Sequence, residues 1–215
     1  MVKSTSVTRL DGLPLAASVD DESTERKLES HKKQAKLILK RLTPSTEKQA
    51  SIEAGDYTFH YIIEHGISYL CICDRSYPRK LAFSYLEELA VEFWGTYGEE
   101  ALQPGLRPFA FVQFDIFMQK SKRVYNTPRA NDNLDKLNTE LKDVTRVMTK
   151  NIEDLLYRGD SLEKMTDLSS DLRFSSAKYK KAARRVNLEA LWKQYGPVFI
   201  IAFLFIVFIY WRFFT

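Results

Sequence analysis

One periodic stripe of side chains constrains this chain more than any other feature. From Leu134 to Val186 its members recur in steps that alternate between three and four residues, without a slip, for more than seven heptads. Twelve of the sixteen members are apolar, and the full set is Leu134, Leu137, Leu141, Val144, Met148, Asn151, Leu155, Arg158, Leu162, Met165, Ser169, Leu172, Ser176, Tyr179, Ala183 and Val186. A mean period of 3.5 residues is that of a left-handed coiled coil. This stripe, called the seam below, therefore predicts a long helix that needs partner helices.

One position of the seam carries a permanent charge. Arg158 lies between Leu155 and Leu162, where an apolar side chain is expected. An unpaired charge buried in a bundle costs several kcal/mol, whereas amide or carboxylate oxygens around a guanidinium satisfy its five donors. Two interpretations follow from the residues alone. Arg158 is either a tolerated polar core residue or the mark that fixes the register of a multi-helix bundle.

The end of the chain is almost wholly apolar. Within residues 195–215 an unbroken apolar run extends from Pro197 to Trp211, and a spanning helix needs about 20 residues. The segment therefore predicts a transmembrane anchor. The basic residues just before it are Lys178, Lys180, Lys181, Arg184, Arg185 and Lys193. The positive-inside rule then predicts a tail-anchored protein with its N-terminal part in the cytosol and a basic juxtamembrane cluster against anionic lipid.

The first 120 or so residues alternate between strand and helix signals. Asp11-Gly12 predicts a hairpin turn, and residues 24–42 have the apolar stripe of an amphipathic helix. Three strand-like runs follow, and helical patterns begin near Arg79 and Phe109. The order ββαβββαα predicts an α+β domain with a five-stranded antiparallel sheet and three helices on its faces. Pro128 marks the boundary before the seam.

Composition and motifs argue against several classes of protein. The net charge of +4 is mild, and the basic cluster lies beside the predicted anchor, so lipid is a simpler partner than nucleic acid. Cys71 and Cys73 lie in an apolar strand with no second ligand pair of suitable spacing, which predicts buried reduced thiols and no metal site. The chain has no P-loop, nucleophile elbow or zincin motif. We therefore expect neither enzymatic activity nor a cofactor.

Four stretches of the chain carry a family resemblance. They are DGLPLAASV at 11–19, FHYIIE at 59–64, YPRKLAFSYLEEL at 77–89 and NIEDLLYRGDSL at 151–162. With a seam arginine ahead of a C-terminal anchor, the chain resembles a longin R-SNARE of the synaptobrevin superfamily, of the type that serves transport between endoplasmic reticulum and Golgi. The resemblance spans essentially the whole chain. It implies a profilin-like longin domain over residues 1–124, a linker over 125–132, the R-SNARE motif with its juxtamembrane segment over 133–193, and the anchor over 195–215.

The resemblance also implies a mechanism for the seam. Arg158 corresponds to the arginine of the central ionic layer, which meets one glutamine from each of three Q-SNARE helices in a four-helix bundle. Zipping from Leu134 towards the anchor then docks and fuses membranes. Ser169 and Ser176 depart mildly from the pattern, because they make two late layers small and polar. The alternative is a tail-anchored coiled-coil tether or adaptor without fusion activity, against which Arg158 and the short link to the anchor argue.

A closed form is the last implication of the resemblance. The segment Asn151, Ile152 and Glu153 is expected to fold back on the longin domain, to occlude the seam and to create a composite surface for the COPII coat. Asn151 is polar although it lies on the seam. This motivates the hypothesis that Asn151 and Ile152 serve both the closed and the zipped state.

Overall fold

The structure is a computed structural model that describes residues 1–127 and 147–153. Its strands are Val2–Arg9 (β1), Pro14–Ala17 (β2), Gln49–Ala54 (β3), Tyr57–Glu64 (β4), Ile67–Asp74 (β5) and Met148–Asn151 (β6). Its helices are Glu22–Arg41 (α1), Arg79–Ala101 (α2) and Asp115–Tyr125 (α3), with a 3₁₀ turn over Val112–Phe114 directly before α3. The predicted order of elements in the first 125 residues, ββαβββαα, is confirmed, but the third helix begins at Asp115 and not near Phe109.

The strands form one six-stranded sheet in the order β2-β1-β5-β4-β3-β6. The pairs among β1 to β5 are antiparallel, whereas β6 pairs with β3 in parallel. The predicted five-stranded antiparallel sheet is therefore wrong in number and in kind. A parallel pair needs a long connection, and residues 55–147, which include β4, β5, α2 and α3, separate β3 from β6 in the chain. Met148 and Asn151, both predicted as helical seam residues, lie in this sixth strand.

Helices cover both faces of the sheet and create two cores. On β5, Tyr69 and Cys71 belong to the core beneath α2 and α3, while Leu70 and Ile72 belong to the core beneath α1. Successive side chains of a strand point to opposite faces, so a central strand covered on both sides is apolar at nearly every position. This explains the run ISYLCICD, in which every residue from Ile67 to Cys73 is buried.

A buried carboxylate ties together helices on opposite faces. Asp20, in the connection from β2 to α1, lies 2.7 Å from the ammonium of Lys32 on α1 and 3.0 Å from that of Lys122 on α3. Burial opposes ionisation of Asp20, but the two ammonium groups outweigh it and hold the pKa of the carboxyl below its ordinary value. Asp20 therefore clamps α1 to α3 around the β2 edge of the sheet.

The predicted anchor, residues 195–215, lies outside the described residues. Among residues 1–127 and 147–153, no helix is long and apolar enough to cross a membrane.

Candidate functional site

The candidate site is the edge of β3, to which residues 147–153 are docked. These residues are called the docked segment below. Ala50 of β3 lies opposite Met148, and the parallel register continues to Glu53 opposite Asn151. Backbone hydrogen bonds of β6 thus satisfy an edge that β3 would otherwise present unpaired.

Two apolar side chains anchor the docked segment. Val147 and Ile152 are each only 7% exposed. Val147 directly precedes the extended strand Met148–Asn151 and Ile152 directly follows it, and the two side chains lie on opposite faces of the sheet. Val147 joins the core beneath α2, and Ile152 joins the core beneath α1. The segment therefore grips the edge of the sheet from both sides, and each anchor contributes roughly 1.5–3 kcal/mol of burial free energy before ordering costs.

The two seam residues in the docked segment remain on the surface. Met148 is 49% exposed, and Asn151 is exposed as well. Docking therefore does not hide this part of the seam by covering its side chains. It withdraws the residues by conformation, because a backbone extended in β6 is not available to a helix at the same time.

Polar contacts fasten the docked segment to elements on each face. On the α2 side, an Nη of Arg79 donates to Oγ1 of Thr149 at 2.9 Å. On the α1 side, Nζ of Lys150 lies 2.6 Å from a carboxylate oxygen of Glu47. Both members of the Lys150–Glu47 pair are partly exposed, so this ion pair adds little free energy. The alternation of Thr149 and Lys150 between faces agrees with the burial of Val147 and Ile152.

Asn151 closes the strand through its side chain. It is the last residue of β6, and its Oδ1 accepts a hydrogen bond from the backbone N–H of Glu153 at 3.1 Å. An asparagine that bonds the backbone two residues later forms an Asx turn, which ends extended structure. Asn151 therefore has a local task in the docked form. Within the expected coat epitope, Asn151 and Glu153 are exposed and Ile152 between them is buried.

A neutral histidine lies in the sheet next to this edge. Ser51 of β3 is opposite both Thr149 of β6 and His60 of β4. Its Oγ lies 2.8 Å from Nδ1 of His60, and the imidazole meets the ring of Phe83 edge-on. Burial, with a smaller effect of Arg79, lowers the pKa of His60 to about 4. His60 is therefore uncharged at neutral pH.

The structure brings only part of the predicted site together. Met148, Asn151, Ile152 and Glu153 lie in the docked segment. Outside the described residues lie the central arginine, the other seam residues and the juxtamembrane cluster, namely Leu134, Leu137, Leu141, Val144, Leu155, Arg158, Leu162, Met165, Ser169, Leu172, Ser176, Tyr179, Ala183, Val186, Lys178, Lys180, Lys181, Arg184 and Arg185.

Sequence reasoning missed Val147, Thr149 and Arg79. The signal that identifies Val147 is an apolar residue just outside the seam and five residues before Ile152, itself apolar and outside the seam. The contact between Arg79 and Thr149 leaves no local pattern, because it joins residues far apart in the chain. The two thiols are as expected for their strand: Cys71 and Cys73 are buried, their sulfurs are 3.6 Å apart, and burial raises the pKa of Cys71.

Comparisons with known proteins match two consecutive regions of this chain, one that contains most of the sheet and one that contains the seam. The regulated-SNARE-like longin domain model matches residues 15–118, and the synaptobrevin model matches residues 133–213. The chain is 87% identical over 215 residues, all of both chains, to protein transport protein sec22 of Schizosaccharomyces pombe. It is 46% identical over 213 residues, 99% of each chain, to SEC22 of Saccharomyces cerevisiae. It is 40% identical over 211 residues, 97% of this chain and 98% of the other, to vesicle-trafficking protein SEC22b of Xenopus tropicalis.

Proposed function

We propose that this chain, which belongs to the Sec22 family of longin-domain SNARE proteins, fuses vesicles with target membranes in transport between endoplasmic reticulum and Golgi. The family consists of vesicle-trafficking and protein transport proteins without enzymatic activity, and this chain is a trafficking SNARE of that kind. The assignment to these two compartments is the finer part of the proposal. What supports it is the match of the whole chain to relatives named for protein transport.

In this proposal, assembly of the seam into a helical bundle supplies the free energy for membrane fusion. The seam zips with three Q-SNARE helices, whose glutamines surround Arg158 and satisfy its donors. Burying a Leu-sized side chain yields about 1.5–3 kcal/mol, so twelve apolar layers yield on the order of tens of kcal/mol before ordering costs. The link NLEALWKQYG, residues 187–196, between Val186 and the apolar C-terminal run contains one glycine and no proline. A short link of this kind delivers the work of zipping to the membrane.

One observation carries the regulatory part of the proposal. Met148–Asn151, a stretch of the seam, is a strand of the longin sheet. The same four residues cannot be strand and bundle helix together, so docking and zipping exclude each other. The docked segment is held by two buried anchors worth a few kcal/mol, whereas zipping draws on many layers. Partner helices therefore displace the docked segment, and the longin domain acts as a gate that delays zipping.

We propose that the COPII coat binds the surface that the docked segment forms with the longin domain. In the docked form Asn151 and Glu153 are exposed around buried Ile152, so a COPII coat that requires this arrangement selects chains that have not yet assembled. The test is coat binding by an Ile152→Ala variant, with Met148→Ala as the matched control. Loss of binding in the first variant alone is the expected result. Undiminished binding by Ile152→Ala, in a protein whose segment has demonstrably left β3, contradicts the proposal.

The fusion role is tested by assembly. Residues 1–192 are mixed with candidate endoplasmic reticulum–Golgi Q-SNARE helices, and helical content is followed by circular dichroism before the product is melted. We expect a large gain in helix and a stable 1:1:1:1 complex, which Arg158→Glu weakens and Arg26→Glu, on the exposed face of α1, does not. If neither residues 1–192 nor residues 130–192 assemble with any set, the tether function is favoured instead.

A further inference from the structure

The strongest unassigned feature of the molecule is the contact between Thr149 and Arg79. Thr149 is exposed on β6, at the edge of the sheet. Its hydroxyl lies 2.9 Å from the guanidinium of Arg79, the first residue of α2. In the described part of the chain this guanidinium forms no ion pair with a carboxylate. A guanidinium that forms no ion pair within the described residues, and that contacts an exposed hydroxyl on an edge strand, is arranged to receive a phosphate.

The sequence around Thr149 fits a protein kinase substrate. Arg146 stands three residues before it, and the acidic substrate grooves of basophilic kinases recognise an arginine at that spacing. The same spacing precedes Ser161 and Ser176, so the motif alone singles out nothing. Thr149 is the one of these three that lies among the described residues, where its hydroxyl contacts Arg79.

We propose that Thr149 is a phosphorylation site and that Arg79 receives the phosphate, so that phosphorylation holds the docked segment on β3. In the reaction, Oγ1 of Thr149 attacks the γ-phosphorus of ATP bound to a protein kinase. The bond from that phosphorus to the β–γ bridging oxygen breaks and ADP leaves. The hydroxyl proton passes to the base of the kinase and then to solvent. The product is a phosphate monoester with a charge of about −1.5 to −2 at neutral pH.

The phosphate acts because it distinguishes the two states of the segment. In the docked state it lies beside Arg79 and forms charge-assisted hydrogen bonds with it. In the zipped state, at 3.6 residues per turn, Thr149 lies roughly 130° from the middle of the seam and the phosphate stays in water. A modification shifts an equilibrium only through its differential interaction with the two states. Phosphorylation therefore favours docking, and its effect on fusion rests on the function proposed above.

The test uses the full chain in detergent micelles, with phosphothreonine installed at position 149 by genetic encoding. Hydrogen exchange of the backbone amides of residues 148–151 is compared with that of the unmodified chain. We expect exchange to slow by about tenfold, the size of a typical coupling between sites. Arg79→Gln abolishes the slowing. The matched control is Arg75→Gln, which removes an exposed arginine paired with Glu53 and leaves the slowing in place.

Three results overturn the proposal. The first is unchanged or faster exchange in the phosphorylated chain, and the second is slowing of exchange that persists in Arg79→Gln. The third is a failure of the cAMP-dependent protein kinase with ATP to phosphorylate Thr149, as measured by mass spectrometry. The proposed function is judged separately, by assembly of the unmodified chain with Q-SNARE helices. If assembly fails while phosphate still slows exchange, the function is contradicted and the phosphorylation site stands.

Discussion

Neighbouring side chains in the docked segment divide two tasks between them. Val147 and Ile152 are buried in the docked form, and neither belongs to the seam. Met148 and Asn151 belong to the seam, and both are exposed when the segment is docked. In this segment, then, the apolar residues outside the heptad pattern are the ones that the docked form buries. Under the proposed function, one short sequence would encode two structures through two different sets of side chains.

Ile152→Ala is the residue change that separates these tasks. Truncating a buried isoleucine to alanine costs about 2–5 kcal/mol, here taken from the docked state alone. We expect the amides of residues 148–151 to exchange at least about tenfold faster in this variant. Met148→Ala removes a side chain that is 49% exposed and should leave exchange near the wild-type rate. Equal acceleration by both changes would contradict the assignment of Ile152 as an anchor.

His60 gives the domain a dependence on pH that a single substitution removes. Its pKa in the folded protein is about 4, below the ordinary value of 6.5. Between these values the unfolded chain binds a proton that the folded protein refuses. The free energy of unfolding therefore falls as the pH falls from 6.5 to 4, by up to about 1.4 kcal/mol per pH unit.

Denaturant unfolding of wild type and His60→Gln across this range measures the effect. We expect the difference in unfolding free energy between the two proteins to narrow steadily as the pH falls, because only wild type carries the histidine. A difference that stays constant from pH 6.5 to 4 would show that His60 titrates alike in the folded and unfolded states.

At the scale of elements, the sequence predicts those that repeat a pattern. Strands β3 to β5 and helices α1 to α3 have apolar residues at strand or helix spacing, and all six elements are present in the predicted order, although α3 begins later than the pattern predicts. Strand β6 could not be predicted in this way. It has only four residues, MTKN, with no alternation of apolar and polar side chains, and they lie inside a longer heptad pattern. The heptad period therefore predicts the coiled coil, and it gives no sign that four residues within it pair with β3 as a strand.

The ion pairs of Asp20 with Lys32 and Lys122 could not be predicted from periodicity either. The substitution Asp20→Asn tests whether they hold α1 to α3. The substitution leaves the ammonium groups of Lys32 and Lys122 without their carboxylate. Breaking such a pair should lower the unfolding free energy by about 2–3 kcal/mol. Glu22→Gln removes the partner of Arg26 in an exposed pair, and we expect a change below about 0.5 kcal/mol. Thermal or urea unfolding measures both changes. An equal decrease in unfolding free energy in the two variants would contradict the role of Asp20 in joining α1 to α3.

At the scale of the whole molecule, the class of protein could be inferred from local signals while the site could not. Arg158, the heptads and the apolar C-terminal run are each visible in a short window of sequence, and the comparisons support the same family. The gate depends on the pairing of Ala50 with Met148 and of Glu53 with Asn151. Those residues are far apart in the chain, and no periodicity connects them. The proposed regulation therefore depends on one segment, Met148–Asn151, that belongs both to the sheet of the domain and to the predicted seam.

Hydrogen exchange along Gln49–Ala54 during assembly tests that sharing most directly. The full chain is mixed with a set of Q-SNARE helices that assembles with it, and the amides of β3 are followed before and after assembly. If docking and zipping exclude each other, the β3 amides that face β6 lose protection as the bundle forms, while those that face β4 keep it. A stable bundle that forms with every β3 amide still protected would contradict the account, because strand and helix would then coexist.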